Sequence, residues 1–231
     1  MHIKGLLFDK DGTLFDFRAT WDTWAAQMIH ELAGHDDAQI AQVAAAVRFD
    51  LETGGFHADS PFIAGTNAEV SEAIAQAVPH LSVLQIELFL EQRVGEATLA
   101  PAVDLAPYLN GLRGQGLRLG VMTNDSEFGA RTQLDQVGVT ALFHFIAGYD
   151  SGFGAKPSPD PLLAFADQMK LPPESVVMVG DSTHDLLAGR RAGMRTVGVL
   201  TGTAPTEELA PLADIVLPDI GHIPGWLNSL S

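Results

Sequence analysis

The chain is 231 residues long, enough to bury one good hydrophobic core with room for a small second unit. Thirteen Lys and Arg against 29 Asp and Glu give a net charge of -16, a field that opposes binding to phosphate backbones and anionic membranes. No cysteine is present, which excludes a disulfide framework, a thiolate nucleophile and a cysteine-held zinc.

The first element is the apolar run Ile3-Lys4-Gly5-Leu6-Leu7-Phe8, which predicts a buried β-strand. It delivers Asp9-Lys10-Asp11-Gly12-Thr13-Leu14 to its end. Side chains of an extended segment alternate, so Asp9 and Asp11 are expected on one side, at the edge where open α/β sheets place their ligands. Two such carboxylates repel unless a cation or a proton separates them. A divalent metal with one protonated carboxyl satisfies the pair and yields a nucleophile and an acid from one turn. An ordinary Asp-Gly turn explains Gly12 and one Asp but not both.

From Trp21 to Val94 the spacing becomes helical: Trp21, Trp24, Ala25, Met28, Ile29 and Leu32; then Ile40, Val43, Ala44, Val47 and Leu51; then Val70, Ile74 and Val78; then Ile86, Phe89, Leu90 and Val94. Four amphipathic helices without an intervening strand are predicted, broken at Gly34, from Gly54-Gly55 to Pro61, and at Pro79. Trp21 and Trp24 read as packing residues of this block, and Arg18 and Arg48 as solvated cations. The segment from Gly54 to Ser60 is the candidate for substrate contact, with Phe56 and His57 its foremost residues, because paired glycines permit close backbone approach.

After Pro101 strand and helix alternate. Short apolar runs at Leu117-Met122, Phe143-Ala147, Val176-Val179, Thr196-Leu200 and Ile215-Leu217 predict a doubly wound parallel α/β sheet of Rossmann-like type. Since the strand before Asp9 belongs to that sheet, the helical block is an insertion: residues 1–16 and 101–231 form the core, and 17–100 a helical cap over the carboxyl ends of the strands.

Three later strand ends carry polar residues. Thr123-Asn124-Asp125-Ser126 offers a hydroxyl and backbone N–H groups to phosphate at a helix start, or else a plain N-cap. Lys156, before Pro157, places a cation on a stiff loop, although a lone Lys before Pro is commonly a solvated one. In Gly180-Asp181-Ser182-Thr183-His184-Asp185, Ser182 and Asp185 fit a capping box, which leaves Asp181 free to supply an oxygen ligand to magnesium. The eight His form no paired metal-ligand spacing, and no Walker loop or dinucleotide glycine fingerprint occurs.

These four motifs, in this order, resemble the haloacid dehalogenase-like hydrolase superfamily, in its subgroup with a helical cap after the first motif. The resemblance is closest to phosphoglycolate phosphatase-like members. It implies Asp9 as nucleophile, Asp11 as general acid/base, Thr123, Asn124 and Lys156 as phosphate binders, and Asp181 as a magnesium ligand with Asp185 in the outer sphere. It further implies that Asp9 ligates through its second oxygen and Asp11 through its backbone carbonyl. Lys10 stands where an apolar residue is common. The implied activity is magnesium-dependent hydrolysis of a small phosphorylated metabolite through an aspartyl-phosphate. A phosphosugar mutase of the β-phosphoglucomutase type and a noncatalytic binding protein on the same fold are the alternatives; the latter is expected to lack a catalytic carboxylate, and both are present. Asp9 and Asp11 interrupt the N-terminal apolar run, so no signal peptide is read, and no segment approaches the ~20 apolar residues of a membrane span. Cytoplasmic residence without nucleic-acid or membrane partners is therefore expected, with the oligomeric state open.

Overall fold

Strand β1 (Gly5–Phe8) leads into helices α1 (Phe17–Ala33) and α2 (Asp37–Ala46), a hairpin of β2 (Phe49–Asp50) and β3 (Gly55–Phe56), then α3 (Pro61–Ala64), α4 (Asn67–Ala77) and α5 (Val83–Arg93). These elements are seen in a computed structural model that describes residues 2–230. The rest alternates: α6 (Leu105–Gly114), β4 (Arg118–Met122), α7 (Glu127–Gln136), β5 (Phe145–Ala147), α8 (Asp160–Met169), β6 (Val176–Gly180), α9 (Thr183–Arg191), β7 (Arg195–Val199), α10 (Thr206–Leu209), β8 (Ile215–Leu217) and α11 (Ile223–Ser229).

Six strands pair in parallel in the order β5-β4-β1-β6-β7-β8. The chain winds one way from β1 through β4 to β5 and the other way through β6 to β8, so the topological switch lies at β1. That is where open α/β sheets leave a crevice beyond the strand ends. The period of two is visible in the packing. Leu6 and Phe8 of β1 join Leu119, Val121, Val177 and Val179 under α6 and α7, whereas Leu7 joins Met122, Val176 and Met178 against α8 and α9. Gly120 is required in β4, since a β-carbon there would meet the Phe165 ring at 2.8 Å and Leu7 at 2.9 Å.

The inserted elements have their own core of Trp21, Trp24, Met28, Ile29, Val43, Ile74 and Ile86 with their neighbours. Their two connections to the sheet run side by side. Asp16 N donates to Ala100 O at 2.8 Å and Ala102 N to Leu14 O at 2.9 Å.

The inserted block departs from four uninterrupted helices. Helix α2 stops at Ala46; Arg48 takes a positive φ of 55°, and Phe49–Asp50 pairs antiparallel with Gly55–Phe56. Leu51, read as the next residue of that helical stripe, lies instead in the hairpin turn and is 44% exposed. The turn closes because Asp50 Oδ1 accepts from Glu52 N and Thr53 N and Gly54 adopts φ 69°. A fifth, single-turn helix, α3, starts at Pro61 because the Ser60 side chain caps it. In the sheet the predicted strands are all found, with ends shifted by up to two residues.

Candidate active site

Asp9 follows the last residue of β1, and its N–H still donates to Val179 O at 2.8 Å, which fixes the side chain at the switch point. The turn after it folds back tightly: Leu14 N donates to Lys10 O at 2.9 Å and Gly12 N to Phe15 O at 2.8 Å. Gly12, at φ 80°, lies against Asp181, and a β-carbon there or at Gly202 would collide with that carboxylate. Asp181 is thus gripped between two loops, with Thr13 Oγ1 3.5 Å from its Oδ1.

Lys156 Nζ bridges two carboxylates, donating to Asp9 Oδ1 and Asp185 Oδ1 at 2.6 Å each. The other Asp185 oxygen accepts from Ser182 N at 3.0 Å and Ser182 Oγ at 2.6 Å, so the capping box of α9 also aims Asp185 at the site. Asp9, Asp181 and Asp185 are all buried, each offering an oxygen within 4.8 Å of the others. Burial pushes the Asp9 carboxyl up to about 7; Lys156 opposes the rise and Asp185 adds to it. Burial, then the Asp9 and Asp185 charges, hold Asp181 well above the ordinary carboxylate range. One ammonium does not balance three buried carboxylates. An all-oxygen donor set with this excess of negative charge fits a hard divalent cation.

Asp11 is held on both oxygens. Oδ1 accepts from the Trp21 indole Nε1 of α1 at 2.8 Å, and Oδ2 pairs with Lys10 Nζ at 2.6 Å. Lys10, fully buried, also reaches Asp125 Oδ2 at 3.3 Å, contacts Gln133 Oε1 of α7, and lies 5.5 Å from the centre of the Trp21 ring. Burial works against its charge, but Asp11 and Asp125 outweigh it and keep the ammonium above its ordinary range. Asp125, Gln133 and Trp21 were not among the residues the sequence singled out for the site. The signal was Lys10 itself, a cation directly after a buried strand, which demands buried partners.

Thr123 ends β4 with its hydroxyl accepting from Asp125 N at 3.1 Å, and it lines the cavity. Asn124 reaches the site but its side chain is occupied. Its Nδ2 donates to Lys156 O and Ala64 O, and its Oδ1 accepts from Lys156 N, each at 2.9 Å. It therefore fastens the Lys156 loop to β4 and to α3, and any phosphate contact falls to its backbone. Phe56 and His57 are not brought to the site. Phe56 packs in the insert's core against Phe17, Phe49 and Phe62, because it is the inward residue of β3, and His57 faces a separate surface hollow with Arg48 and Glu52. The helical residues that do line the cavity include Trp21, Trp24, Phe62, Asn67, Val70 and Leu90. The two tryptophans thus serve both the insert's packing and the wall of the site.

The cavity joins these residues to Asp9, Asp11, Thr123, Lys156 and Asp185. Its volume, ≈ 70 Å³, is several times the roughly 10–15 Å³ that one water requires, which suits a phosphoryl group with a small substituent. Asn67 Nδ2 donates to Asp125 Oδ1 at 2.9 Å, so together with Trp21–Asp11 and Asn124–Ala64 three polar contacts fasten the insert over the strand ends.

Among relatives, phosphoglycolate phosphatase from Escherichia coli strain K12 is 33% identical over 116 residues, 50% of this chain and 44% of that protein. Phosphoglycolate phosphatase from Neisseria meningitidis serogroup A is 38% identical over 121 residues, 52% of this chain and 51% of that protein. The chain thus spans about half the length of the curated relatives it matches. A solved structure of a predicted phosphoglycolate phosphatase from Haemophilus somnus 129pt superposes with a TM-score of 0.71 at 20% identity, covering 98% of each chain. At that identity the likeness concerns the fold. The sequence profile of haloacid dehalogenase-like hydrolases matches residues 3–193, most of the chain, with Asp9, Asp11, Thr123, Lys156, Asp181 and Asp185 inside the match, and the chain belongs to that family.

Proposed function

We propose that the chain is a magnesium-dependent phosphomonoester hydrolase that works through an aspartyl-phosphate on Asp9. The observation that carries this reading is the meeting of Asp9 with Lys156 at 2.6 Å, beside an Asp11 held on both oxygens and facing the same cavity. Asp9 attacks phosphorus in line while Asp11 protonates the leaving oxygen; Asp11 then takes a proton from the water that cleaves the acyl phosphate. Lys156 and the Thr123 hydroxyl hold the phosphoryl oxygens, and the ammonium offsets charge as it transfers. Asp9, Asp181 and the Asp11 backbone carbonyl would hold the magnesium, with Asp185 behind them. When bound, the ion neutralises phosphoryl charge and screens Asp9 from its neighbours.

Residues 1–16 and 101–231 supply this chemistry, and 17–100 act as the cap that excludes bulk water. The separate hydrophobic core of the inserted helices supports that division. The substrate is a small phosphorylated metabolite, and the relatives' names make phosphoglycolate the first ester to test.

Reductive trapping tests the covalent step. Borohydride converts an aspartyl-phosphate to homoserine, so mass spectrometry of protein quenched during turnover should find homoserine at position 9. Substantial phosphate release without that product, or an Asp9→Asn protein with normal turnover, overturns the assignment. Chelation should abolish release and magnesium should restore it.

A further inference from the structure

We propose that the cavity beside Asp9 and Asp11 takes an uncharged leaving group with an apolar face, so that esters of carboxylate-bearing alcohols are poor substrates. The inference rests on the phosphatase reading above and concerns only the far half of the substrate.

The helical wall facing Asp9 and Asp11 is made of Trp21, Trp24, Phe62, Val70, Leu90 and Val94. The rings meet edge to face, Trp21 and Trp24 at 5.1 Å and Trp24 and Phe62 at 6.1 Å, leaving an aromatic corner in the wall. The one amide on this wall, Asn67, already donates to Asp125.

The charges around the cavity argue in the same direction. Asp9, Asp11, Asp125 and Asp185 all line it, and Lys156 is held between Asp9 and Asp185. Lys10 is engaged by Asp11 and Asp125 beneath the wall. The arginines of the insert are turned elsewhere: Arg48 pairs with Asp59, Arg93 with Glu31 and Glu96, and Arg18 lies beside Asp22 and Gly55. Among the described residues His184, on the sheet side, is the remaining lining group able to carry positive charge. A carboxylate on the leaving group would enter an apolar corner beside Asp125 without a cation to meet it, and an unpaired buried charge is among the costliest arrangements a site can hold.

Two esters matched in size separate the possibilities: propyl phosphate, with a neutral leaving group, and phosphoglycolate, with a carboxylate in its place. Acetyl phosphate serves as the activated reference, and glucose 1-phosphate as the neutral but polar one. With magnesium present, kcat/KM for propyl phosphate should exceed that for phosphoglycolate by about tenfold or more, and that for glucose 1-phosphate should also fall below it. Leu90→Ala should narrow the gap, lowering propyl phosphate hydrolysis more than that of phosphoglycolate. Preference for phosphoglycolate, above all one lost in His184→Gln, overturns the proposal while leaving the phosphatase reading intact. Faster turnover of the sugar phosphate also overturns it. Failure to hydrolyse any ester, acetyl phosphate included, removes the phosphatase reading and the proposal with it.

Discussion

The sheet side of the cavity brings Asp9, Asp11, Asp125, Asp185 and Lys156 to one place, whereas the helical side faces them with Trp21, Trp24, Phe62, Val70 and Leu90. The first surface consists of buried and half-buried charges, each fixed by named partners at 2.6 to 3.3 Å. Losing one partner leaves another charge stranded, so that surface tolerates little change. The second consists mostly of carbon, where a change of shape alters fit without stranding a charge. Substitutions on the sheet side should therefore remove activity or fold, and those on the helical side should redirect preference.

The largest effect is expected at Asp9. Asp9→Asn keeps the shape, removes the nucleophile and relieves repulsion with Asp185, so kcat should fall by about 10³ or more while the thermal midpoint does not drop. Steady-state kinetics beside a melting curve reads both, and a lowered midpoint would mean that the carboxylate cluster is stabilising as it stands.

Next comes Lys10→Met, which leaves the half-buried Asp11 and Asp125 without their shared ammonium. Urea unfolding should show a loss of about 3–5 kcal/mol. A loss below about 1 kcal/mol, the range of exposed ion pairs, would show that solvent reaches the cluster and that the contrast between the surfaces is weaker than drawn.

Trp21→Phe tests where the contrast breaks, because Trp21 belongs to the helical side yet donates to Asp11. It keeps the aromatic wall and deletes one hydrogen bond to a carboxylate, of the kind that contributes about 1.5–3 kcal/mol. A fall in kcat of about tenfold or more with a smaller change in KM is expected. A change confined to KM would return Trp21 to the shape-giving wall.

Tyr108→Phe is the smallest and lies away from the cavity. Its hydroxyl donates to Ile220 O at 2.7 Å, and its loss should cost about 1 kcal/mol with kcat unchanged. Burial, with Asp219 nearby, holds this phenol above the ordinary tyrosine range. The unfolded chain therefore loses the proton first, and the stability it contributes declines as pH rises past about 10. The Phe variant should lack that part of the alkaline slope in urea titrations.

What could be read from the sequence follows the same contrast. Asp9, Asp11 and Asp181 follow strand ends, and a parallel sheet brings strand ends together whatever lies between, so their meeting follows from topology, while Lys156 reaches them from the loop between β5 and α8 that Asn124 fastens. Local chemistry also held at Ser182 and Asp185, whose capping box is present. The partners of Lys10 were not legible. Asp125, Gln133 and Trp21 come from three separate segments, and only packing decides that one ammonium meets them all. Phe56 and His57 lie away from the site because Gly54 closes a short hairpin rather than making room for a ligand, and Phe56 fills the insert's core. Strands that short carry almost no period to detect.

The place of β1 at the centre of the sheet has a consequence during synthesis. Gly5 is made before both of its partners, Arg118 on one side and Val176 on the other. Until β6 is made, the opening strand has one neighbour at most, while the inserted helices can already pack on one another. Asp9 meets Asp181 only after most of the chain has emerged. The buried cluster of Asp9, Asp181 and Asp185 thus cannot assemble on a nascent chain before Asp185 has been translated.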